Sequence, residues 1–175
     1  MMKGLLGTAV LTILVSAASI AAAAEGMGGT SGMTGMAETS QTSRYAKQKV
    51  VYHINYYGAK HQLAALRNIQ NHINAVGAQN LDLKVVLHGN GISLLLEPDG
   101  LEGTKMQEAN ATEEMQARIT GLKNQGIIFN VCANTLQGRK VDPANLYDVD
   151  QGDIVPSGVA ELARLQGQGY AYIKP

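Results

Sequence analysis

From residue 45 onward the chain alternates between two hydrophobic periods. The stretch KVVYHIN, residues 49–55, is short and rich in β-branched residues, which suits a strand. After it, Leu63, Leu66, Ile69, Ile73 and Val76 recur at helical spacing, with Arg67, Asn68, Asn71 and Asn74 turned away, and Gly77 stands where a helix commonly ends. LDLKVVLHG, residues 81–89, predicts a second strand, and GISLLL, residues 91–96, a short apolar turn. Asn110 precedes Glu113 at the spacing of a capping box, opening a helix that sets Met115, Ile119 and Leu122 on one side. IIFNVC, residues 127–132, predicts the third strand and Ile154-Val155 a brief fourth. Pro156, Ser157 and Gly158 begin a helix expected to turn Val159, Leu162 and Leu165 inward, and YAYIK, residues 170–174, closes the chain as a strand.

Strands alternating with helices through short connections predict a parallel sheet with helices packed on its faces. The strands are almost continuous apolar runs, as expected when both faces are covered. The expectation is a single α/β domain over residues 45–175, a three-layer sandwich around a five-stranded, mainly parallel sheet. Ligands of such sheets bind beyond the carboxyl ends of the strands. Those ends carry His88-Gly89-Asn90-Gly91 after strand two and Cys132-Ala133-Asn134 after strand three. Cys132 is therefore the candidate reactive residue, with His88, Asn90 and Asn134 as candidate ligand-binding residues. His53, His61 and His72 are expected to be structural or solvent-facing.

The N-terminus changes the compartment. Met1-Met2-Lys3, an apolar run and the small residues AAAAEG form a secretory signal peptide, residues 1–24, with cleavage expected after Ala24. Residues 25–44 are Gly, Ser, Thr and Met with almost no other apolar content, which predicts a flexible leader. The expectation is thus a periplasmic or secreted protein. Once the signal is gone, no stretch is apolar enough for a membrane span. Fourteen Lys and Arg balance fourteen Asp and Glu, so the chain lacks the basic footprint of a nucleic-acid binder.

Three stretches carry a family resemblance. VVLHGNGISLLL, GIIFNVCANTLQG and VPSGVAELARLQGQGYAYIKP resemble the DsrE/DsrF-like family, whose fold is also called YchN-like, over about residues 48–175. The resemblance implies a three-layer α/β subunit that assembles into trimers or hexamers. For the sulfur-trafficking members it also implies a cysteine that holds sulfur as a persulfide and hands it to a partner protein. Cys132 matches that position. The export signal is a departure, since the resemblance points to cytoplasmic relays built from hetero-oligomers.

Cys132 is the only cysteine, so it cannot form an internal disulfide. One reading is an inert core thiol, because free cysteine packs as a small hydrophobe. The other is a reactive thiol exposed in the crevice, its pKa lowered by the N-terminus of a helix starting near Asn134. His88 is either a satisfied structural imidazole or a group that stabilises a thiolate or persulfide. Cys132 and His88 are two ligands where zinc wants four, so neither a metal nor any other cofactor is expected within one subunit. Neither a Gly-x-Ser-x-Gly elbow nor a His-Glu-x-x-His helix is present.

The leading expectation is a sulfur carrier or thiol relay, more a carrier than a classical enzyme, with a sulfur donor or acceptor protein as partner. The alternatives are an oligomeric small-ligand or metal-binding module and a structural oligomer. A homo-oligomer is expected in each case. The run Ile92 to Leu96 holds more apolar residues than one face of a short helix can bury internally, which points to an interface.

Overall fold

The computed structural model describes residues 44–175. The signal peptide and nearly all of the leader expected at residues 25–44 lie outside them. The chain runs β1 (Gln48–Ile54), α1 (Ala59–Val76), β2 (Leu81–Leu87), α2 (Glu113–Lys123), β3 (Ile128–Cys132), α3 (Ala133–Arg139), β4 (Ile154–Val155), α4 (Gly158–Gly167) and β5 (Ala171–Ile173). Short 3-10 turns fill several connections, including Gly89–Leu94 and Gln151–Asp153.

The five strands form one parallel sheet in the order β4-β3-β2-β1-β5. This order explains the layers. From β1 to β4 the chain steps in one direction across the sheet, and right-handed crossovers then keep α1 and α2 on one face. The last connection runs back from β4 to β5 at the far edge, so the same handedness carries α4 over the opposite face. The α/β sandwich expected from the periodicity is the observed fold.

The two faces differ in content. Val50, Tyr52, Ile54, Leu83, Val85, Leu87, Phe129 and Val131 point to the face covered by α1 and α2 and form the main core with Leu66, Ile69, Met115 and Ile119. The other face has a small core of Val51, Val86, Leu162, Leu165 and Tyr170. One ten-residue helix cannot cover five strands, and this face carries the polar residues of the strands. Val159, expected inward, is 64% exposed, because Leu162 and Leu165 alone fill the contact with the sheet.

Two further expectations change. Ile92, Ser93, Leu94, Leu95 and Leu96 are all buried within the subunit, so this run gives no argument for an interface. A 3-10 turn threaded between α1, the strand ends and the loop after it buries residues on every side, which a helix on a surface cannot do. Asn110 does not cap α2, whose N-cap is Thr112. Instead its Nδ2 donates to Gln62 Oε1 at 2.9 Å and to Glu108 Oε2 at 3.0 Å. Gln62, fully buried on α1, donates in turn to Tyr56 O and Ser93 Oγ, each at 2.8 Å. Ser93 Oγ donates to Asn90 O at 2.9 Å. These bonds satisfy groups that would cost about 1–3 kcal/mol each if buried unpaired, and they fix the loop leaving β2 against α1.

Gly91 sits in that loop at a point of close approach. A Cβ there would lie 2.0 Å from Ile54 O and 2.6 Å from Ile54 C, backbone atoms that cannot yield. Gly91→Ala should therefore destabilise the protein by about 3 kcal/mol or prevent folding. Gly152→Ala, where a Cβ meets nothing within 4 Å, should change stability by less than about 0.5 kcal/mol. Urea denaturation of the two variants beside the parent checks both values; equal midpoints would contradict the close approach.

Candidate functional site

β3 ends on Cys132, which is also the N-cap residue of α3. Strand alternation turns Phe129 and Val131 into the main core and leaves Ile128, Asn130 and Cys132 on the α4 face. The register between β2 and β3 pairs Leu87 with Val131, so its next step sets His88 beside Cys132. From the far side comes the first turn of α4, whose N-cap Ser157 accepts a hydrogen bond from Ala160 N. Gly158 then lies so close that a Cβ on it would be 2.9 Å from His88 Cβ and 3.2 Å from Cys132 Cβ. Only glycine lets the α4 backbone reach the thiol.

That approach delivers donors. Burial pushes the Cys132 thiol up, but the Thr135 hydroxyl and the backbone N–H groups of Gly158, Thr135 and Asn134 all donate to the sulfur, and the net result is a pKa below the usual thiol value. Thr135 Oγ1 also accepts from Gly89 N at 3.0 Å, tying the exit of β2 to the thiol. N–H groups from the first turns of two helices converge on one sulfur. Such a cradle suits an anion, whether thiolate or terminal persulfide, and disfavours a cation at the same atom.

Of the two readings of Cys132, the structure bears out burial and not a thiol standing open in the crevice: it is 5% exposed. The first turn of α4, admitted by Gly158, lies across it. The cavity of about 270 Å³ lined by Tyr56, His61, Ala64, Ala65, Asn68 and Pro175 does not include it.

The other expected residues divide. His88 is in the site. Asn134 is exposed and contributes its backbone N–H to the sulfur. Asn90 is held by Arg139, whose Nη2 donates to its Oδ1 at 2.9 Å, so its side chain braces the loop. Among the described residues no group of three His, Cys, Asp or Glu side chains is arranged to hold a metal.

Sequence reasoning missed His53. It lies on β1 on the α4 face, its Nε2 is 2.7 Å from His88 Nε2, and its Nδ1 is 2.6 Å from Tyr172 Oη. The alternation along β1, with Val50, Tyr52 and Ile54 in the main core, puts Val51 and His53 on the opposite face. Their meeting with His88 and Tyr172, however, needs the strand order. Burial, the neighbouring His88 and the Lys174 ammonium lower the His53 pKa to about 4, and burial with Lys174 lowers that of His88. Asn130, on the same face of β3 as Cys132, is also buried, and its Oδ1 has no hydrogen-bond partner among the described residues.

The family model described as the DsrE/DsrF-like family matches residues 49–175. The chain belongs to the DsrE/DsrF-like family. Among solved structures, the protein of unknown function MTH1491 from Methanobacterium thermoautotrophicum is similar at 27% identity and a TM-score of 0.59, the match covering 73% of this chain and 99% of that one. The ychN protein from E. coli shares the fold at 20% identity and a TM-score of 0.51, with 75% of this chain and 100% of that one covered. No curated protein matches. The DsrE/DsrF-like family is associated with sulfur relay, and in this member the strand-three cysteine sits in a cradle of amide donors.

The buried imidazoles give a pH signature. The unfolded chain protonates His53 and His88 from about pH 6.5 downward, whereas the folded protein resists, in the case of His53 until about pH 4. The unfolded state then binds more protons, so stability is full above pH 6.5 and falls as pH drops through this window. Urea midpoints measured from pH 7.5 to 4 should decline over that range, and His53→Gln should show a shallower decline. Equal slopes for the two proteins would show that His53 is not held neutral.

Proposed function

We propose that this DsrE/DsrF-like protein is a sulfur carrier, which holds sulfane sulfur as a persulfide on Cys132 and passes it to a partner protein. The observation that supports this most is the convergence of the Gly158, Asn134 and Thr135 N–H groups and the Thr135 hydroxyl on one sulfur atom. A thiolate is the form that attacks a sulfane sulfur, and donors fixed before reaction stabilise it without rearrangement. A metal-binding role would place a cation against the positive ends of the same N–H bonds, which argues for the carrier. In this reading the protein works outside the cytoplasm after loss of residues 1–24, as a homo-oligomer. The burial of Cys132 then requires the donor and acceptor to reach it by displacing the first turn of α4. Val159, exposed next to Gly158, is the apolar contact they would meet first.

The loading step balances simply. The Cys132 sulfur attacks the outer sulfur of a donor persulfide, the donor S–S bond breaks, a new S–S bond forms on Cys132, and the donor leaves as a thiol once protonated.

Incubation of the protein with a small-molecule persulfide donor, followed by intact-mass analysis, should show an adduct of about 32 Da, one sulfur atom, that reductant removes. The Cys132→Ser protein should show none. Thr135→Val keeps the shape but removes one donor to the sulfur, so loading near neutral pH should slow by about three- to tenfold. A folded parent protein that never gains the adduct overturns the carrier reading.

A further inference from the structure

We propose that the His53–His88 pair is an acid-operated latch on the cover of Cys132: double protonation parts the rings and lifts the first turn of α4. The inference goes beyond the carrier reading by adding control of access, and it stands on contacts of its own. Cys132 is buried, and the α4 backbone at Gly158 lies across it. That same backbone rests on His88. A Cβ on Gly158 would be 2.9 Å from His88 Cβ and 3.2 Å from His88 Cδ2, with Cys132 Cβ also at 3.2 Å. The ring atom bonded to Cδ2 is Nε2, and it meets His53 Nε2 at 2.7 Å. One edge of the His88 ring thus bears on His53 and on the helix that covers the thiol.

The pair accommodates one added proton and not two. Two neutral imidazoles share an N···N hydrogen bond when one facing nitrogen carries a proton and the other offers its lone pair. A first added proton enters at the outer Nδ1 of the donor ring and leaves that bond in place. Where the donor is His53, its Nδ1 then donates to Tyr172 Oη, 2.6 Å away. The one unprotonated nitrogen left is the facing Nε2 of the other ring. A second proton there sets two N–H groups head to head across 2.7 Å, which no hydrogen bond allows. The rings must separate, and His88 cannot turn without moving the Cδ2 edge that bears on Gly158.

The surrounding charges favour release. From β5 and just beyond it come Tyr172, bonded to His53, and the Lys174 ammonium, which opposes protonation of both rings. β3 brings Cys132, and β2 brings Lys84, paired with Asp82 at 3.8 Å. α4 brings Glu161 and Arg164, which are bound to each other, Arg164 Nε donating to Glu161 Oε2 at 2.8 Å. Among the described residues no carboxylate bonds either imidazole, so nothing offsets their charge when both are protonated. The closed pair is a poor proton acceptor, with His53 holding out to about 4, whereas parted rings in water protonate from the ordinary 6.5. The open form therefore binds more protons, and its share grows as pH falls from 6.5 toward 4.

The test is hydrogen exchange of the Gly158 amide, whose N–H donates to the Cys132 sulfur, followed by nuclear magnetic resonance and corrected for the pH dependence of free peptides. Its protection should fall about tenfold or more between pH 7 and pH 4, while the amides of buried α1 residues such as Ile69 keep theirs. His53→Gln keeps a hydrogen-bonding group opposite His88 but takes up no proton, so its Gly158 protection should stay level. Lys174→Gln changes an exposed side chain, removes the opposing ammonium, and should move the fall to higher pH. A level Gly158 protection in the parent would overturn the proposal, as would an equal fall in His53→Gln. Loss of α1 protection together with that of Gly158 would assign the change to unfolding and overturn it too. If His53→Gln does not fold, Lys174→Gln decides alone, and an unshifted fall there rejects the latch. No sulfur transfer is read, so a failure to gain the sulfur adduct would sink the carrier reading and leave this result standing.

Discussion

Gly158 brings the backbone of α4 into contact with His88 and Cys132, and the site depends on that one approach. Without a side chain at this position, the first turn of the helix can lay its N–H against the sulfur at the end of β3. Any Cβ would push the helix away from both strand ends. The donor would be lost, and the cover over the thiol would lift with it. Further along the same helix, Leu162 and Leu165 bury Val51 and Val86 on this face of the sheet.

Burial and reactivity are usually opposed for a thiol, since desolvation disfavours the charged form. Here they are reconciled by donors. The N–H groups of Gly158, Asn134 and Thr135 and the Thr135 hydroxyl replace the water that a thiolate would otherwise hold, and the net effect is a pKa below the usual thiol value. Thr135 is itself held by Gly89 N, so the loop after β2 and the helix after β3 are locked to each other at the sulfur. The buried network of Gln62, Ser93 and Asn110 holds the same loop from the other side. Packing energy in the main core is thereby turned into positional accuracy at the site.

The uneven covering of the sheet has a chemical consequence. A face covered by two helices is filled mostly with apolar side chains, whereas the face under α4 alone has room for His53, His88, Asn130 and Tyr172. A polar chain there avoids the cost of unpaired burial because its members bond to one another. Asn130 Oδ1 is the exception, buried with no hydrogen-bond partner among the described residues, on the same face of β3 as Cys132.

The sequence by itself determined the α/β class, the five strands, the helices and the placing of Cys132 at the junction of a strand and a helix. These are local matters of hydrophobic period, capping and turn residues, each contained in a window of a few residues. The resemblance to the DsrE/DsrF-like family was legible for the same reason, because its stretches are contiguous. Only the tertiary structure decided that Cys132 is covered, that Ile92 to Leu96 are internal, and that Asn110 joins a buried network instead of capping α2. Only it made His53 a partner of His88 and Tyr172. Those outcomes depend on the strand order β4-β3-β2-β1-β5 and on the return of α4 across the sheet. His53 and Tyr172 are 119 positions apart, and no local pattern records which strand edges will meet.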